Sequence, residues 1–493
     1  MKYILTLDQG TTGSRAIIYD KLGRIVTSAY QEYPQHFPKP GWVEHDPEDI
    51  WNTVNNSVQK VLKVVGGDSI AAIGITNKRE TTIIWDRKTG KPIYNAIVWQ
   101  CRRTATRCEQ LKKNTKLVAE INQKTGLKVD AYFSATKIEW ILNMVAGARK
   151  KALKGELAFG TVDTWLLWKL TNGKVHATDY SNASRTMLFN IEKLEWDKEL
   201  LRTFGIPREM LPTVCNSSGK FGETVKIGLL PAGVPITGIA GDQQAGLFGQ
   251  TCFEAGEMNC TYGTGGFILL NTGKKRAVSK AGLLTTLGCD SEGKPAYILE
   301  GGIFIAGAAI QWLRDGLQIV TDATQSEKMA LAVADNGGVY MVSAFVGLGA
   351  PYWNSDARGM ITGLTRGTTR NHIVRAALEG MCYQITDVFL AMQQDANMNV
   401  KGLRVNGGAC KNNFVCQFQA DMLNIHIVRP KVIETTSLGA AYLAGLAVGY
   451  WKNAAEIKKC WQKEREFTPR MSVKVRRSLY TGWKKAVERT MLE

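Results

Sequence analysis

The sequence predicts an α/β protein built in two halves that pack on each other with a ligand cleft between them. Three observations carry this expectation. Apolar runs that read as strands alternate with amphipathic stretches that read as helices. A strand, a Gly/Thr turn and a second strand open the chain in "LTLDQGTTGSRAIIYD" (Leu5–Asp20), and the pattern restarts in "EMNCTYGTGGFILLNTG" (Glu257–Gly273). The chain also has 493 residues, 44% hydrophobic and 22% charged, which exceeds one ordinary domain and is unlike a disordered chain. The boundary is placed near Gly249, giving halves 1–248 and 249–493. No Pro/Ser-rich linker separates them, so the default ligand position is between them.

In chain order, "DPEDIWNTVNNSVQKVLKVVGG" reads as a helix. Asp46 caps it, Pro47 takes the first helical position, and Glu48 and Asp49 sit at its positive end. Ile50, Val54, Val58, Val61, Leu62 and Val65 form its apolar face, and Gly66 and Gly67 end it. "SIAAIGIT" (Ser69–Thr76) follows as a buried strand. "TTIIWDRKTGKPIY" (Thr81–Tyr94) reads as a hairpin turning at Lys88–Gly90. "ITGIA" (Ile236–Ala240) is another apolar strand. "LRVNGGACKNNFVCQFQADML" (Leu403–Leu423) reads as strand, Gly-Gly turn and helix. "LGAAYLAGLAVGYW" (Leu438–Trp451) is too short to span a membrane, and its Ala and Gly content suits a tightly packed buried helix.

The net charge is +18 with a pI near 9.4. A nucleic-acid partner would concentrate that charge. Here Lys and Arg are scattered and interrupted by acids, so the expectation is a basic solvated surface, with no nucleic acid bound and no membrane insertion. Ten cysteines without a CxxC pair predict reduced thiols in a cytoplasmic protein, neither a disulfide framework nor a zinc site. The apolar run before Asp8 is too short for a signal peptide, and the tail "RTMLE" carries no peroxisomal tripeptide.

The chain has no GxxxxGK[ST], GxGxxG or GxSxG, and its five histidines lack metal-ligand spacing. The Gly/Thr turns carry the chemistry instead. In "DQGTTGSR", successive backbone N–H groups and the hydroxyls of Thr11 and Thr12 can face one anion. Gly10 and Gly13 let the backbone approach, Arg15 adds a charge, and Asp8 at the strand end suits Mg²⁺, which takes one or two carboxylates plus phosphate oxygens and water. The alternative is a plain polar hairpin. A second such turn at "TYGTGG" (Thr261–Gly266) favours phosphate. In "GDQQAG", Asp242 follows a buried strand and is placed to act as a base; the competing reading is a helix N-cap. Arg79 and Glu80 in "TNKRETTIIWD" are either a surface ion pair or a polyol clamp in which Arg donates and Glu accepts.

"YFSATKIEWI" (Tyr132–Ile141) and "GMITGLTRGTTRNHIVRAALEG" (Gly359–Gly380) closely resemble the two signatures of the FGGY family of carbohydrate kinases, which shares the two-domain fold of actin, hexokinase and Hsp70. "DQGTTGSR", "TNKRETTIIWD", "IVWQCRRT", "GIAGDQQAGLFGQ", "CTYGTGGF" and "NGGACKNNF" are similar to the branch of that family that phosphorylates glycerol, almost end to end. The resemblance implies glycerol and ATP as substrates and Mg²⁺ as cofactor. It implies that Arg79, Glu80, Tyr132, Asp242 and Gln243 bind glycerol, and that Trp99 and Phe267 face its carbon edge. Thr11, Thr12, Gly13, Arg15, Thr264, Gly307, Gln311, Gly408 and Asn412 match nucleotide contacts, Asp8 the metal-associated carboxylate and Asp242 the general base. A homo-oligomer, dimer or tetramer, is the expected assembly.

Two departures stand out. Gly13 stands where Ser is familiar, and Gly266 where Cys is often seen; neither removes a charge. The segment "NSSGKFGETVKIGLLPAGVP" (Asn216–Pro235) has neither the Gly/Arg loop that senses fructose bisphosphate in some members nor the phosphorylatable His of others, so both controls are expected to be missing. Two other readings stay open at this point: a kinase for a ketose or pentitol, and a non-enzymatic ATP-binding protein of the actin or chaperone kind.

Overall fold

The structure is a computed structural model describing residues 1–400 and 402–492. Its contacts divide the chain into two compact units. Unit 1 comprises Met1–Phe253, Thr285–Ile298 and Thr435–Cys460; unit 2 comprises Glu254–Leu284, Leu299–Glu434 and Trp461–Glu493.

Unit 1 is organised on a six-stranded sheet in the order Ser218–Glu223, Pro235–Gly241, Ile70–Asn77, Tyr3–Gln9, Gly13–Tyr19, Ile25–Glu32. Pro235–Gly241, Ile70–Asn77 and Tyr3–Gln9 are parallel, and the outer pairings are antiparallel. The parallel strands end in register, with Gln9 and Gly241 both opposite Asn77. They are apolar along nearly their whole length, as strands covered on both faces must be. Helix Pro47–Val65 covers the hairpin strands, with Ile50, Val54, Val58, Val61 and Leu62 buried and Val65 partly exposed. Asp46 caps it by accepting the Glu48 N–H at 2.8 Å.

The Ala/Gly-rich segment forms helix Thr435–Ala447 and packs on the sheet strands and on helix Asp242–Gly249. Backbones touch here because the contact residues are glycines. A Cβ on Gly439 would lie 1.8 Å from the Ala245 carbonyl oxygen, and one on Gly249 1.9 Å from that of Thr435. Among the described residues, no helix is long and apolar enough to cross a membrane.

The Thr81–Tyr94 segment forms the hairpin expected of it and gains a second, distant partner. The turn forms, with Asp86 accepting the N–H groups of Lys88 and Thr89, and Trp85 bridges to Pro92. The arms hydrogen-bond through Asp86 N–H to the Lys91 carbonyl (3.0 Å) and Ile93 N–H to the Ile84 carbonyl (2.9 Å), and the other edge of Ile83–Asp86 pairs with Leu157–Gly160, with Trp85 packed against Trp165 and Trp168.

Unit 2 repeats the plan. Strands run in the order Lys463–Phe467, His426–Pro430, Gly402–Asn406, Met258–Tyr262, Gly266–Gly273 and then Pro295–Ile303, whose part from Leu299 lies in this unit. The first pairing is antiparallel, the next two are parallel, and Met258–Tyr262 with Gly266–Gly273 is an antiparallel hairpin. Strands His426–Pro430 to Gly266–Gly273 repeat the order and sense of Pro235–Gly241 to Gly13–Tyr19 in unit 1, while the outermost strand follows its neighbour in the chain here and precedes it in unit 1, so the pattern that restarts in the sequence is a repeated four-strand topology. Much of the second signature, Gly359–Gly380, opens the buried helix Arg370–Ala396.

Candidate active site

In sheets with parallel strands, ligands bind beyond the carboxyl ends of those strands. In unit 1 that edge carries three segments: the Gly10–Thr12 turn after Gln9, Lys78-Arg79-Glu80 after Asn77, and Asp242 after Gly241. The in-register ends bring together residues up to about 230 positions apart in sequence.

Gly241 occupies the N-cap position and Asp242 is the first residue of helix Asp242–Gly249, so the N-cap reading of Asp242 is corrected. Its carboxylate accepts the Gln243 N–H at 2.8 Å and lies 3.2 Å from Arg79 Nε, with the side chain one-third exposed. The Gly241 N–H donates to Ser181 Oγ at 2.8 Å, which fixes the entry to this helix. Arg79 is buried; it donates to Gln244 Oε1 at 3.2 Å and lies 3.8 Å from Glu80 Oε1. This pair is therefore interior, and the surface ion-pair reading falls. Gln243 Oε1 is buried with no partner, an acceptor that a ligand hydroxyl would satisfy.

Glu80 has φ +60°, a left-handed conformation that costs a non-glycine residue about 1–3 kcal/mol and persists only when the surroundings impose it. They do. Its carbonyl oxygen receives Lys137 Nζ (3.2 Å), Ser134 Oγ (3.3 Å) and Thr82 Oγ1 (3.3 Å). Its carboxylate receives Arg185 Nε at 2.6 Å. Lys137 Nζ also donates to the Tyr132 carbonyl at 2.6 Å, which ties Glu80 to Tyr132. Burial pushes the Lys137 amine down to about 8, with Glu80 pulling the other way. The Tyr132 ring meets Trp99 edge-on with centroids 5.6 Å apart, and Trp99 Nε1–H donates to Thr11 Oγ1 at 3.1 Å. One chain of contacts thus runs Asp242–Arg79–Glu80–Lys137–Tyr132–Trp99–Thr11.

Three residues of this neighbourhood are not singled out by sequence reading: Lys78, Lys137 and Arg185. Lys137 lies inside "YFSATKIEWI", where a lysine amid apolar helix residues is the available signal. Arg185 is fully buried, with its guanidinium carbon 5.6 Å from the Tyr132 ring centroid and 5.4 Å from that of Phe133. Nothing in its local sequence marks it.

In the first turn, Gly10 N–H donates to the Gly13 carbonyl at 3.0 Å. Thr12 is exposed, Thr11 and Arg15 are half-buried, and Asp8 is half-buried at the strand end, opposite Arg15 across the hairpin. A Cβ on Gly13 would lie 2.5 Å from the hydroxyl of the exposed Tyr30 side chain, which would have to shift to admit it.

In unit 2 the matching turn, Gly263–Gly265, lies between the hairpin strands. Its Gly263 carbonyl accepts the Gly307 N–H (2.9 Å), and its Thr264 carbonyl accepts those of Ala306 (2.8 Å) and Ala308 (3.1 Å). Thr264 and Gly307 are therefore adjacent, and Gln311 is one turn further along helix Gly307–Asp315, exposed. Gly408 follows strand Gly402–Asn406, whose Asn406 pairs with Thr261, so the loop and the turn leave neighbouring strand ends. Asn412 caps helix Asn413–Leu423 by accepting the Val415 N–H, and its amide donates to Ser326 Oγ at 3.2 Å. Phe267 lies on strand Gly266–Gly273 with its ring over Gly302.

A repeated strand plan with a Gly/Thr turn in each unit and an acid–arginine–acid set at one sheet edge is the arrangement that the resemblance to carbohydrate kinases implies. Residues 3–249 match the N-terminal domain of the FGGY family of carbohydrate kinases and residues 258–448 its C-terminal domain. The chain belongs to that family, and its two-domain α/β fold is the family's actin- and hexokinase-like one. It is 58% identical over 494 residues to glycerol kinase 2 of Thermotoga maritima, covering 100% of this chain and 99% of that protein. It is 59% identical over 492 residues to glycerol kinase of Caldanaerobacter subterraneus subsp. tengcongensis, covering 99% of each. A crystal structure of Plasmodium falciparum glycerol kinase with ADP superposes with a TM-score of 0.94 at 39% identity, covering 100% of this chain and 99% of that one. A ligand-bound xylulose kinase from Lactobacillus acidophilus gives 0.87 at 23% identity over 99% and 97%, a likeness of fold.

Proposed function

We propose that this protein transfers the γ-phosphoryl group of ATP to glycerol, forming sn-glycerol 3-phosphate and ADP. The observation that carries this is the register of the parallel strands of unit 1, which sets a phosphate-type turn, an Arg-Glu pair and an aspartate side by side. Full-length identity near 58% to glycerol kinases supports the choice of acceptor. Buried Arg79 donates to glycerol hydroxyls, while Glu80 and the unpartnered Gln243 Oε1 accept from them. Tyr132 and Trp99 pack on the carbon edge and exclude longer sugars by bulk. Asp242 takes the proton of the attacking hydroxyl, held in place by Arg79 at 3.2 Å. The N–H groups and hydroxyls of Thr11 and Thr12, with Gly13 and Arg15, hold phosphate oxygens. Unit 2 carries its own nucleotide contacts at Thr264, Gly307, Gln311, Gly408 and Asn412. Phosphoryl transfer rests mainly on such positioning and charge neutralisation.

Among the described residues no group of three or more His, Cys, Asp or Glu converges on a point, so a metal caged by protein alone does not fit. Mg²⁺ touched by one carboxylate, the strand-end Asp8, does fit. When bound it would neutralise phosphate charge. The free thiols of all ten cysteines suit a cytoplasmic enzyme.

A coupled ADP-release assay over glycerol, a pentitol, a ketose and no acceptor tests the reading. Release with glycerol alone is the expected result. Preference for the ketose or pentitol, or ADP release indifferent to any polyol, would overturn it.

A further inference from the structure

A buried lysine that the mechanism above does not use lies directly behind the first turn. Lys78 follows Asn77 and is 2% exposed. Its Nζ donates to the Tyr33 hydroxyl at 2.7 Å and lies 2.7 Å from His45 Nδ1. The Tyr33 hydroxyl, which also accepts from Gln9 Nε2 at 2.9 Å, shares its proton between the carbonyl oxygens of Gly10 (2.5 Å) and Thr11 (2.8 Å). A second path reaches the same turn. Gln35 Nε2 donates to the Thr11 carbonyl at 3.2 Å, and Gln35 Oε1 lies 2.7 Å from His45 Nε2. The direction of this path is forced. A carbonyl only accepts, so the Gln35 amide donates to it, Gln35 Oε1 accepts from His45 Nε2–H, and neutral His45 Nδ1 accepts from Lys78. Burial holds His45 neutral, pushing it down to about 2, with Lys78 adding to the effect.

A trans peptide unit is planar, so its C=O and the following N–H point in opposite directions. The cis bond found among the described residues is elsewhere, at Ala350–Pro351. Holding the Gly10 and Thr11 carbonyls inward therefore turns the N–H groups of Thr11 and Thr12 outward together. The second turn uses the same device, with the Gly263 and Thr264 carbonyls held by the backbone N–H groups of Ala306, Gly307 and Ala308. There the anchor is backbone; in the first turn it is a side-chain network that one substitution can break.

We propose that Lys78 is a positioning residue for phosphate binding: acting through Tyr33, and through His45 and Gln35, it fixes the carbonyls of Gly10 and Thr11 and so aims the amides of Thr11 and Thr12 at the nucleotide. The proposal rests on the phosphate-binding reading of that turn. The test compares the unaltered enzyme with Tyr33→Phe, Lys78→Met, Lys78→Gln and the milder Gln35→Leu. ADP affinity is measured by calorimetry, KM for ATP and for glycerol by ADP release, and the melting midpoint alongside. Tyr33→Phe and Lys78→Met are expected to weaken ADP binding and raise KM for ATP about tenfold, while KM for glycerol stays within about twofold. Lys78→Gln, whose amide can donate to Tyr33, should recover part of the loss, and Gln35→Leu should show a smaller loss of the same kind. Unchanged ADP affinity in all four variants would overturn the proposal. So would ATP and glycerol constants that rise together in step with the melting midpoint's fall. Failure of the unaltered enzyme itself to bind ADP would instead overturn the kinase reading.

Discussion

Asp242→Asn separates the chemical role of this residue from its place in the packing. The carboxylate makes two described contacts, to the Gln243 N–H at 2.8 Å and to Arg79 Nε at 3.2 Å, and an amide oxygen can make both. Arg79 keeps Gln244 Oε1 at 3.2 Å and Glu80 Oε1 at 3.8 Å, so it is not left as an uncompensated buried charge. The substitution therefore removes basicity while leaving the geometry largely in place. Loss of a general base costs about 10²–10⁴-fold in turnover, which is about 2.7–5.4 kcal/mol of barrier at about 1.36 kcal/mol per decade. Weakening of one charge-assisted contact near Arg79, at about 1.5–3 kcal/mol, bounds the accompanying rise in KM for glycerol to roughly 10–150-fold. Turnover is read by coupled ADP release at saturating glycerol, and ADP affinity separately by calorimetry. An Asn variant with turnover within tenfold of the parent would refute the base assignment. Loss of ADP affinity in parallel with turnover would refute the separation of roles.

Other expectations follow from particular contacts. Lys137→Met removes the amine that joins the Glu80 and Tyr132 carbonyls, at 3.2 and 2.6 Å; leaving buried carbonyls short of a donor costs about 1–3 kcal/mol. KM for glycerol should rise about tenfold with KM for ATP unchanged, and an unchanged glycerol KM would contradict the positioning of Glu80 described above. Gly439→Ala places a carbon 1.8 Å from the Ala245 carbonyl oxygen, so two helices must separate. The midpoint of urea unfolding should fall by the equivalent of about 1–3 kcal/mol or more, as overpacking costs; an unaltered midpoint would show that the backbones are not in contact. Burial pushes the Asp163 carboxyl up from 3.8 to about 6 against hydrogen bonds from Thr161 and Thr178. The folded state thus holds this proton more tightly than the unfolded chain. Its contribution to stability is present below pH 3.8 and is lost as pH rises to about 6. Relative to the parent, Asp163→Asn should gain stability across that window, read from urea midpoints at each end, and a relative loss would reverse the argument.

Much of the site was legible because its signals are local. A Gly/Thr turn between apolar strands needs only its own residues to be recognised, so "DQGTTGSR" and "TYGTGG" could be read directly. The cap at Asp46 and the apolar face of its helix are equally local and appear as read. Whether Arg79 and Glu80 form a surface pair was left open by spacing, and their burial excludes it. The hairpin arm of Ile83–Asp86 was legible because it is local, whereas its second partner, Leu157–Gly160, lies more than 70 residues away and leaves no local signal.

The sequence by itself determined the α/β class, the two turns, the strand-end aspartate and the family. Tertiary structure alone decided that Gln9, Asn77 and Gly241 end level, that Glu80 is held in a left-handed conformation by Lys137, Ser134 and Thr82, and that helix Thr435–Ala447 joins unit 1. It also brought Lys78 against Tyr33, Lys137 against the Glu80 carbonyl and Arg185 against the Glu80 carboxylate. The physical reason is the same in each case. Turns and caps are set by the conformational preferences of a few neighbouring residues. Strand register, close helix packing and buried charge networks are set by complementary surfaces from distant parts of the chain, and no periodicity in the sequence encodes which surfaces meet.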